Sequence, residues 1–479
     1  MKSLINMISP SCKQEGMFTS GACQTRKPAH AGLKWRWLLV CAIGIGLSAC
    51  DSDENALSTY DPNKPLVLTD YSPKEGPIST QVILNGSNFG NSKDGVKVFF
   101  NEKEASVISV KGEHILVLAP KLPGEECVIK VQVGEQEAAY DEVFDYIVQT
   151  NVSTLVGGDK DAKTNPTGTI ALSEAQFAMK IETGIVADGD GNVYFCVQNI
   201  KDDGSGDNSG NIYVLNVEAN QLKQIKSDAN YFCNNPMLAY DPYKDIVYRF
   251  DTGDGSNGYA YFDVDNDFTE TALGNFTLPD LTPSFLPFTI RRAFAMNENG
   301  WFYCRGQDGD FYRINPDTRQ GEWFTDRSPL GGFTNGTTYG AVFDPNDSRI
   351  LYFSVDDRHC IYKYNIETNE MGILAGVENN SGYLDGEVSI AKFNKPSQIA
   401  FDSQGDLYVA DRNNHCIRKI AMATGYVSTV VGIAGKAGFR NGTDKDAQFD
   451  NPIGLAIDSE DVIYVGDSEN RAIRRVAVE

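Results

Sequence analysis

The chain has 479 residues, enough for two or three domains that each bury a core of their own. Its 42 Lys/Arg stand against 65 Asp/Glu, a net charge of −23 at pH 7; the first 49 residues hold 6 Lys/Arg and 1 Asp/Glu, which leaves the remainder at −28. That sign excludes nucleic acid as a partner, because phosphate backbones are held by clustered Lys and Arg that displace counterions.

The first element in the chain is an apolar run of 11 residues, Trp37 to Leu47 (WLLVCAIGIGL), behind Lys34 and Arg36. It is too short to cross a bilayer and has the form of the apolar core of a secretory signal, so residues 1–49 are expected to be a signal peptide. The following Leu47-Ser48-Ala49-Cys50 resembles a bacterial lipobox, in which the cysteine is diacylated and becomes the first residue of the mature chain. Two acyl chains on one residue anchor a soluble domain stably. Next comes Asp51-Ser52-Asp53-Glu54, which resembles the surface-export signal of outer-membrane lipoproteins in Gram-negative bacteria that forage on glycans. The resemblance implies lipidation at Cys50, a location at the outer membrane facing the cell exterior, and contact with the membrane through the lipid alone. The 36 residues ahead of the apolar run are long for such a signal, and Leu33 would begin one of ordinary length. Residues 1–32 are therefore read as a mis-assigned start, and residues 50–64 as a flexible linker.

From residue 65 the texture changes to short alternating apolar runs separated by Gly, Asn and Pro, which is that of a β-sandwich. The runs at 82–86, 96–100, 114–120 and 128–133 fit strands of about five to seven residues. Tyr71-Ser72-Pro73, Gly76-Pro77, the sequence Asn85 to Gly90 (NGSNFG), Pro120 and a closing Phe144-Asp145-Tyr146 occur in order over residues 65–148, and together they resemble an IPT/TIG domain of the immunoglobulin-like class. The resemblance implies a spacer or interaction module and brings no catalytic residues.

Residues 152–479 contain an internal repeat. Gly376 and Gly432, Phe393 and Phe449, Pro396 and Pro452, Asp402 and Asp458, Tyr408 and Tyr464, Asp411 and Asp467, Asn414 and Asn470, and Ile417 and Ile473 are all 56 residues apart. Each copy reads as four short strands, the signature of a propeller blade. Its pattern, P-x-x-[IL]-A-x-D followed by [IL]-Y-V-x-D-x-x-N-x-x-I-R-[KR], resembles the NHL repeat. Weaker copies at 185–197, 238–251, 291–306 and 339–355 bring the count to six, so the expected fold is all-β: an IPT/TIG sandwich followed by a six-bladed NHL-type propeller. The last copy lacks a fourth strand, while Val152 to Gly157 (VSTLVG) matches Val427 to Gly432 (VSTVVG). The strand near 152–157 is accordingly expected to close the ring, which otherwise leaves an unpaired edge.

His415-Cys416 is the pair most suggestive of metal or nucleophile chemistry, yet His359-Cys360 stands in step with it one repeat earlier and Arg471-Ala472 one repeat later. A position that accepts His-Cys or Arg-Ala is a repeat position: the His belongs to a loop and the small residue opens a buried third strand. Cys196 and Cys304 are placed in the slot of Ala410 and Gly466. Cysteines on different blades lie beyond the roughly 7 Å Cα separation that a bridge allows, so buried thiols are expected, with Cys233 undecided. Asp188-Gly189-Asp190-Gly191-Asn192 has the spaced oxygens of a calcium loop but aligns with the turn between first and second strands. No Ser-His-Asp order, Walker loop or zinc helix is present, and none of the four His falls in an inner strand, where lyases built on similar propellers place theirs.

Ligand binding is expected on the face that carries the loops between second and third strands and between blades. The segments 201–211, 265–289 and 327–338 are read as its long loops. The candidate ligand-binding residues are Phe276, Phe285, Phe288, Phe333, Tyr383 and Phe439 for stacking on sugar rings, with Arg305, Arg412 and Arg440 as charged partners. The expectation is a surface lipoprotein that is not an enzyme, with no catalytic residue, cofactor or metal, binding a glycan or polysaccharide next to outer-membrane uptake proteins. The alternatives are a protein-interaction scaffold, or a propeller lyase or hydrolase with an unrecognised site.

Overall fold

In the computed structural model, residues 59–478 are described apart from 122–123, 125, 182–183, 201–205, 231–236, 251–257, 276–289, 307–310 and 326–337. The first part of the described chain is a sandwich. Its larger sheet runs in the order Val67–Ser72, Gln81–Ser87, His114–Leu118, Lys103–Lys111, Val96–Phe100, Ile129–Val133 and Gln136–Ala139. A smaller sheet of Glu75–Gly76, Phe144–Tyr146 and Glu126–Cys127 faces it. The alternation is strict where one face is buried: Val82 and Leu84 point into the core while Gln81 and Ile83 point out. The expected strands at 82–86, 96–100 and 114–120 appear within a residue or two.

The NGSNFG run shows its physical meaning here. A side chain at Gly86 would sit 2.2 Å from the carbonyl oxygen of Val67 and 2.5 Å from the Phe89 ring, so the strand crossing needs glycine. Asn88 accepts the Asp61 N–H at 2.9 Å and donates to the carbonyls of Asp61 and Lys64 at 2.9 and 2.8 Å. Tyr60 packs on the sandwich core. The ordered domain thus begins ahead of the expected boundary at 65, because Asn88 and Tyr60 tie down the last residues assigned to the linker.

The remainder forms six sheets, which we number I to VI in the order of their inner strands: Val186–Ala187, Met237–Asp241, Ile290–Met296, Ala341–Asp344, Pro396–Phe401 and Pro452–Ile457. Each inner strand lies beside the next, and the last lies beside the first, so the sheets close into a ring of blades. Closure uses Thr150–Gly157, which pairs antiparallel with the C-terminal strand Ala472–Val478 as the fourth strand of blade VI. Gly157 ends that strand at φ +81°, and a Cβ there would lie 1.9 Å from the Arg471 carbonyl oxygen. Gly432 and Gly376 stand in the same position against His415 and His359, which is why the outer strands end in glycine.

Two-residue strands add a fifth layer to two blades: Gly386–Glu387 pairs with the outer strand Tyr426–Gly432 of blade V, and Gly442–Thr443 with Thr150–Gly157 of blade VI. The three-residue Thr169–Ala171 likewise covers the outer strand Gln221–Asn230 of blade I. The chain entering each of these blades wraps its outer edge and protects an otherwise open row of amides. Two segments read as loops prove to be strand. Residues 206–211 begin the eleven-residue third strand Gly206–Asn216, and 269–275 form the outer strand Thr269–Asn275 of blade II. Both contain Gly and Asn, which are depleted in strands, and their pairing with neighbouring strands overrides that composition.

Candidate functional site

The turn between second and third strands is the same device in blades V and VI. In blade V the second strand Leu407–Asp411 runs into a 3-10 turn, Arg412–Asn414, and His415 follows in the left-handed region at φ 57°. Asp411 is buried at the end of the strand and accepts from the Asn394 N–H, the Asn414 amide and Nη1 of Arg418, each at 2.8 Å. Asp467 accepts from Asp450, Asn470 and Arg474 at 2.7, 2.8 and 2.7 Å. Arg418 and Arg474 are both 0% exposed. Their guanidinium groups also donate to backbone carbonyls, those of Leu384 and Lys392 for Arg418 and of Arg440 and Gln448 for Arg474.

Each buried guanidinium is sandwiched between two rings. Arg418 lies 4.8 Å from the Tyr383 centroid and 5.1 Å from Phe393; Arg474 lies 4.8 Å from Phe439 and 5.2 Å from Phe449. Burial pushes Asp411 and Asp467 up to about 6, while the guanidinium and amide donors pull the other way.

His415 Nδ1 accepts the Asn451 N–H and His359 Nδ1 accepts the Lys395 N–H, each at 3.1 Å. These imidazoles therefore staple a turn of one blade to the entry of the next, and Arg471 does the same work by donating to the Lys160 carbonyl at 3.1 Å. Burial, and then the nearby Lys395, hold His359 below the usual imidazole range. Among the described residues no group of three or more His, Cys, Asp or Glu is arranged to hold a metal ion. Cys127, Cys196, Cys304, Cys360 and Cys416 are buried thiols, and Cys233 lies outside the described residues.

One alignment needs correction. Tyr303 pairs with Ala295 as Tyr408 pairs with Ala400, so Cys304 stands in the slot of Val409 and Arg305 occupies the small-residue slot of Ala410. The aromatic run Trp301-Phe302-Tyr303 obscures a shift of one residue, which in a strand exchanges the two faces.

Asp188 uses its oxygens within its own turn: Oδ1 accepts the Asp190 and Asn192 N–H groups at 3.0 and 2.9 Å, and Oδ2 accepts the Tyr194 hydroxyl at 2.9 Å. Asp458 repeats this with Glu460, Val462 and Tyr464, each at 2.9 Å. The segment is a hairpin turn fixed by an Asp–Tyr clasp.

The described ligand candidates separate into two places. Arg305 and Arg412 sit near the inner strands: Arg305 is 2% exposed and donates to Thr338 Oγ1 at 2.9 Å. Arg412 donates to Asp356 at 3.2 Å and stacks 5.3 Å from the Tyr339 ring. Tyr383, Phe439 and Arg440 lie beside the outer strands, where the Tyr383 hydroxyl meets Thr429 Oγ1 at 2.8 Å. Tyr383 and Phe439 are each 45% exposed. Cys50, Phe276, Phe285, Phe288 and Phe333 lie outside the described residues. Sequence reasoning misses Arg418 and Arg474, whose recurrence 56 residues apart beside Asp411 and Asp467 is the signal that could have found them.

Residues 66–146 match the IPT/TIG domain family and residues 393–420 the NHL repeat. Protein SUPPRESSOR OF QUENCHING 1, chloroplastic, of Arabidopsis thaliana is 31% identical over 137 residues, 27% of this chain. NHL repeat-containing protein 2 of Gallus gallus is 48% identical over 54 residues, 11% of this chain. The chain spans only 13% and 7% of those two proteins. A solved Bacteroides thetaiotaomicron structure described as a protein of unknown function is 26% identical, with a TM-score of 0.64, covering 88% of this chain and 100% of that one. A Bacteroides ovatus structure described as an auxiliary nutrient binding protein is 21% identical, with a TM-score of 0.60 over the same shares. The chain is an all-β protein in which an immunoglobulin-like IPT/TIG domain precedes a six-bladed NHL-type β-propeller.

Proposed function

We propose that this protein is a non-catalytic surface lipoprotein, anchored through Cys50 at the outer membrane, that captures a glycan or polysaccharide beside an outer-membrane uptake system. The observation that carries the reading is the pair of exposed rings, Tyr383 and Phe439, each backed by a buried guanidinium at 4.8 Å. An aromatic ring held from behind by a fixed cation presents its other face without losing rotamer freedom on binding, which favours stacking on a flat ligand. Hydrogen-bonding groups flank each ring: Asp385 and Thr429 beside Tyr383, Asn441 and Thr154 beside Phe439. Sugars present that combination of apolar face and hydroxyl edge. The Bacteroides ovatus structure of the same fold, described as an auxiliary nutrient binding protein, supports capture over chemistry.

Affinity electrophoresis of the purified chain against a panel of soluble polysaccharides tests the reading. Retardation by at least one of them, unaffected by EDTA, is expected. Each ring contributes about 1 kcal/mol, so Tyr383→Ala with Phe439→Ala weakens binding by roughly tenfold or more. Retardation that survives the double variant unchanged removes the rings from the site. Cleavage products after prolonged incubation would move the protein to the lyase or hydrolase class. Loss of palmitate labelling in Cys50→Ala checks the anchor.

A further inference from the structure

The two exposed rings belong to repeat-equivalent subsites that share a frame and differ in chemistry. Tyr383, Asp385, Phe393 and Arg418 of blade V stand 56 residues before Phe439, Asn441, Phe449 and Arg474 of blade VI, and Thr429 of one outer strand matches Thr154 of the other. In blade V, Asp385 Oδ1 accepts from Nη2 of Arg418 at 2.6 Å and from the Thr429 hydroxyl at 3.1 Å. In blade VI, Asn441 Oδ1 accepts from Nη2 of Arg474 at 2.8 Å and from the Thr154 hydroxyl at 3.0 Å. With the first oxygen used alike, the second atom decides what a ligand meets. In blade V it is a carboxylate oxygen, Asp385 Oδ2, which accepts from the Thr429 N–H and the Tyr383 hydroxyl at 3.3 and 3.4 Å. In blade VI it is an amide nitrogen, a donor without charge.

The charge count differs as well. Arg418 faces two carboxylates, those of buried Asp411 and of Asp385, whose side chain is 35% exposed; Arg474 faces that of Asp467 alone. The blade V subsite therefore carries one negative charge in excess, and the blade VI subsite none. Of the nearby cations, Lys392 donates to Asn380 Oδ1 at 3.3 Å and Arg440 pairs with Asp446 at 3.8 Å, so neither is spent on Asp385. Thr429 also lines an open groove together with Asp444 and Asp446, which adds to the negative field.

We infer that Asp385 makes the blade V subsite selective for a sugar carrying a free amino group and against uronic acids, whereas the blade VI subsite does not distinguish them. The inference rests on glycan capture by the rings and deepens it. An ammonium on a sugar stacked at Tyr383 gains a charge-assisted hydrogen bond to Asp385 Oδ2, and an acetylated amine loses the charge. A uronate carboxylate meets like charge there. The gain is modest because the Asp385 side chain is partly solvated and shared with Arg418.

Isothermal titration of the purified chain with glucosamine hexamer, N-acetylglucosamine hexamer and galacturonic acid hexamer, in slightly acidic buffer of low ionic strength, tests it. The free amine is expected to bind about fivefold more tightly than its acetylated counterpart, and the galacturonate more weakly than either. Asp385→Asn gives blade V the charge count with which blade VI already folds, so it should keep the parent's thermal melt and remove the preference. Asn441→Asp should increase it. Glu102→Gln removes the same charge from the exposed surface of the sandwich and should leave the preference unchanged, which separates the site from general attraction to an acidic chain. A parent that binds the free amine no better than the acetylated hexamer, or a folded Asp385→Asn chain that keeps the preference, would overturn the inference and leave glycan capture standing. Failure of the whole polysaccharide panel would overturn capture and this selectivity with it.

Discussion

A guanidinium with no solvent contact is costly unless its donors and its charge are answered; all three nitrogens of Arg418 donate, whereas Arg474 donates through both Nη atoms and its Nε has no hydrogen-bond partner among the described residues. Two carbonyls and two ring faces surround each one, with the carboxylates of Asp411 and Asp385 beside Arg418 and that of Asp467 beside Arg474. Removing the carboxylate beside Arg474 leaves that charge buried alone, so Asp467→Ala is expected to destabilise the ring by about 3–5 kcal/mol in denaturant unfolding. Arg474→Met in the same chain should restore much of that loss. His359 offers a second test. Its Nδ1 accepts a backbone N–H and its pKa is held low, so the folded state binds a proton less readily than the unfolded chain. The contribution is whole above the unfolded pKa of about 6.5 and declines as pH falls from there to the folded value. Asp411 and Asp467, raised to about 6, act in the opposite sense, gaining stability as pH falls through that value. The difference between the parent and His359→Asn therefore carries the signal: their gap in unfolding free energy should narrow as pH falls below about 6.5.

Among the elements, Thr150–Gly157 has the largest consequence for its length. Seven residue pairs join it to Ala472–Val478, and through them the two ends of the ring. A chain of residues 160–479 should lose the cooperative melt of the propeller, whereas residues 148–479 should keep it; equal melting of the two would mean that the strand does not close the ring. The sequence alone makes this strand legible, because Val152 to Gly157 repeats Val427 to Gly432 letter for letter except at one position. Blades V and VI are legible for the same reason. The two-residue wraps at Gly386 and Gly442 are not, since a strand of that length has no period to detect. Arg418 and Arg474 are visible as letters of the repeat but not as buried groups, because a charged residue in a strand ordinarily faces solvent. Tyr383 and Phe439 are read from the sequence as candidates for stacking on sugar rings; the cations behind them belong to contacts between segments more than thirty residues apart.

At the scale of the whole molecule, the sandwich and the ring have separate cores. Tyr71, Leu84, Phe100, Ile115 and Phe144 form one cluster with no propeller residue in it, and the propeller's clusters lie between its own blades. Only Ile147, Val148 and Gln149 separate the last sandwich strand from the closing strand of blade VI. Among the described residues a further bond links them, from Lys121 Nζ to the Glu460 carbonyl at 3.0 Å, on an exposed surface. Glu460 lies in the turn between the first and second strands of blade VI, so the sandwich meets the ring on the face that carries these turns. An exposed hydrogen bond of this kind contributes about 1 kcal/mol or less, far below the stability of either core. The two parts should accordingly unfold as separate units. Calorimetry of the full chain is expected to show two transitions, one of them reproduced by residues 57–148 alone. Lys121→Ala should shift neither transition by more than a few degrees. A single transition in the full chain, with residues 57–148 unfolded when isolated, would show instead that the ring lends the sandwich stability through this junction.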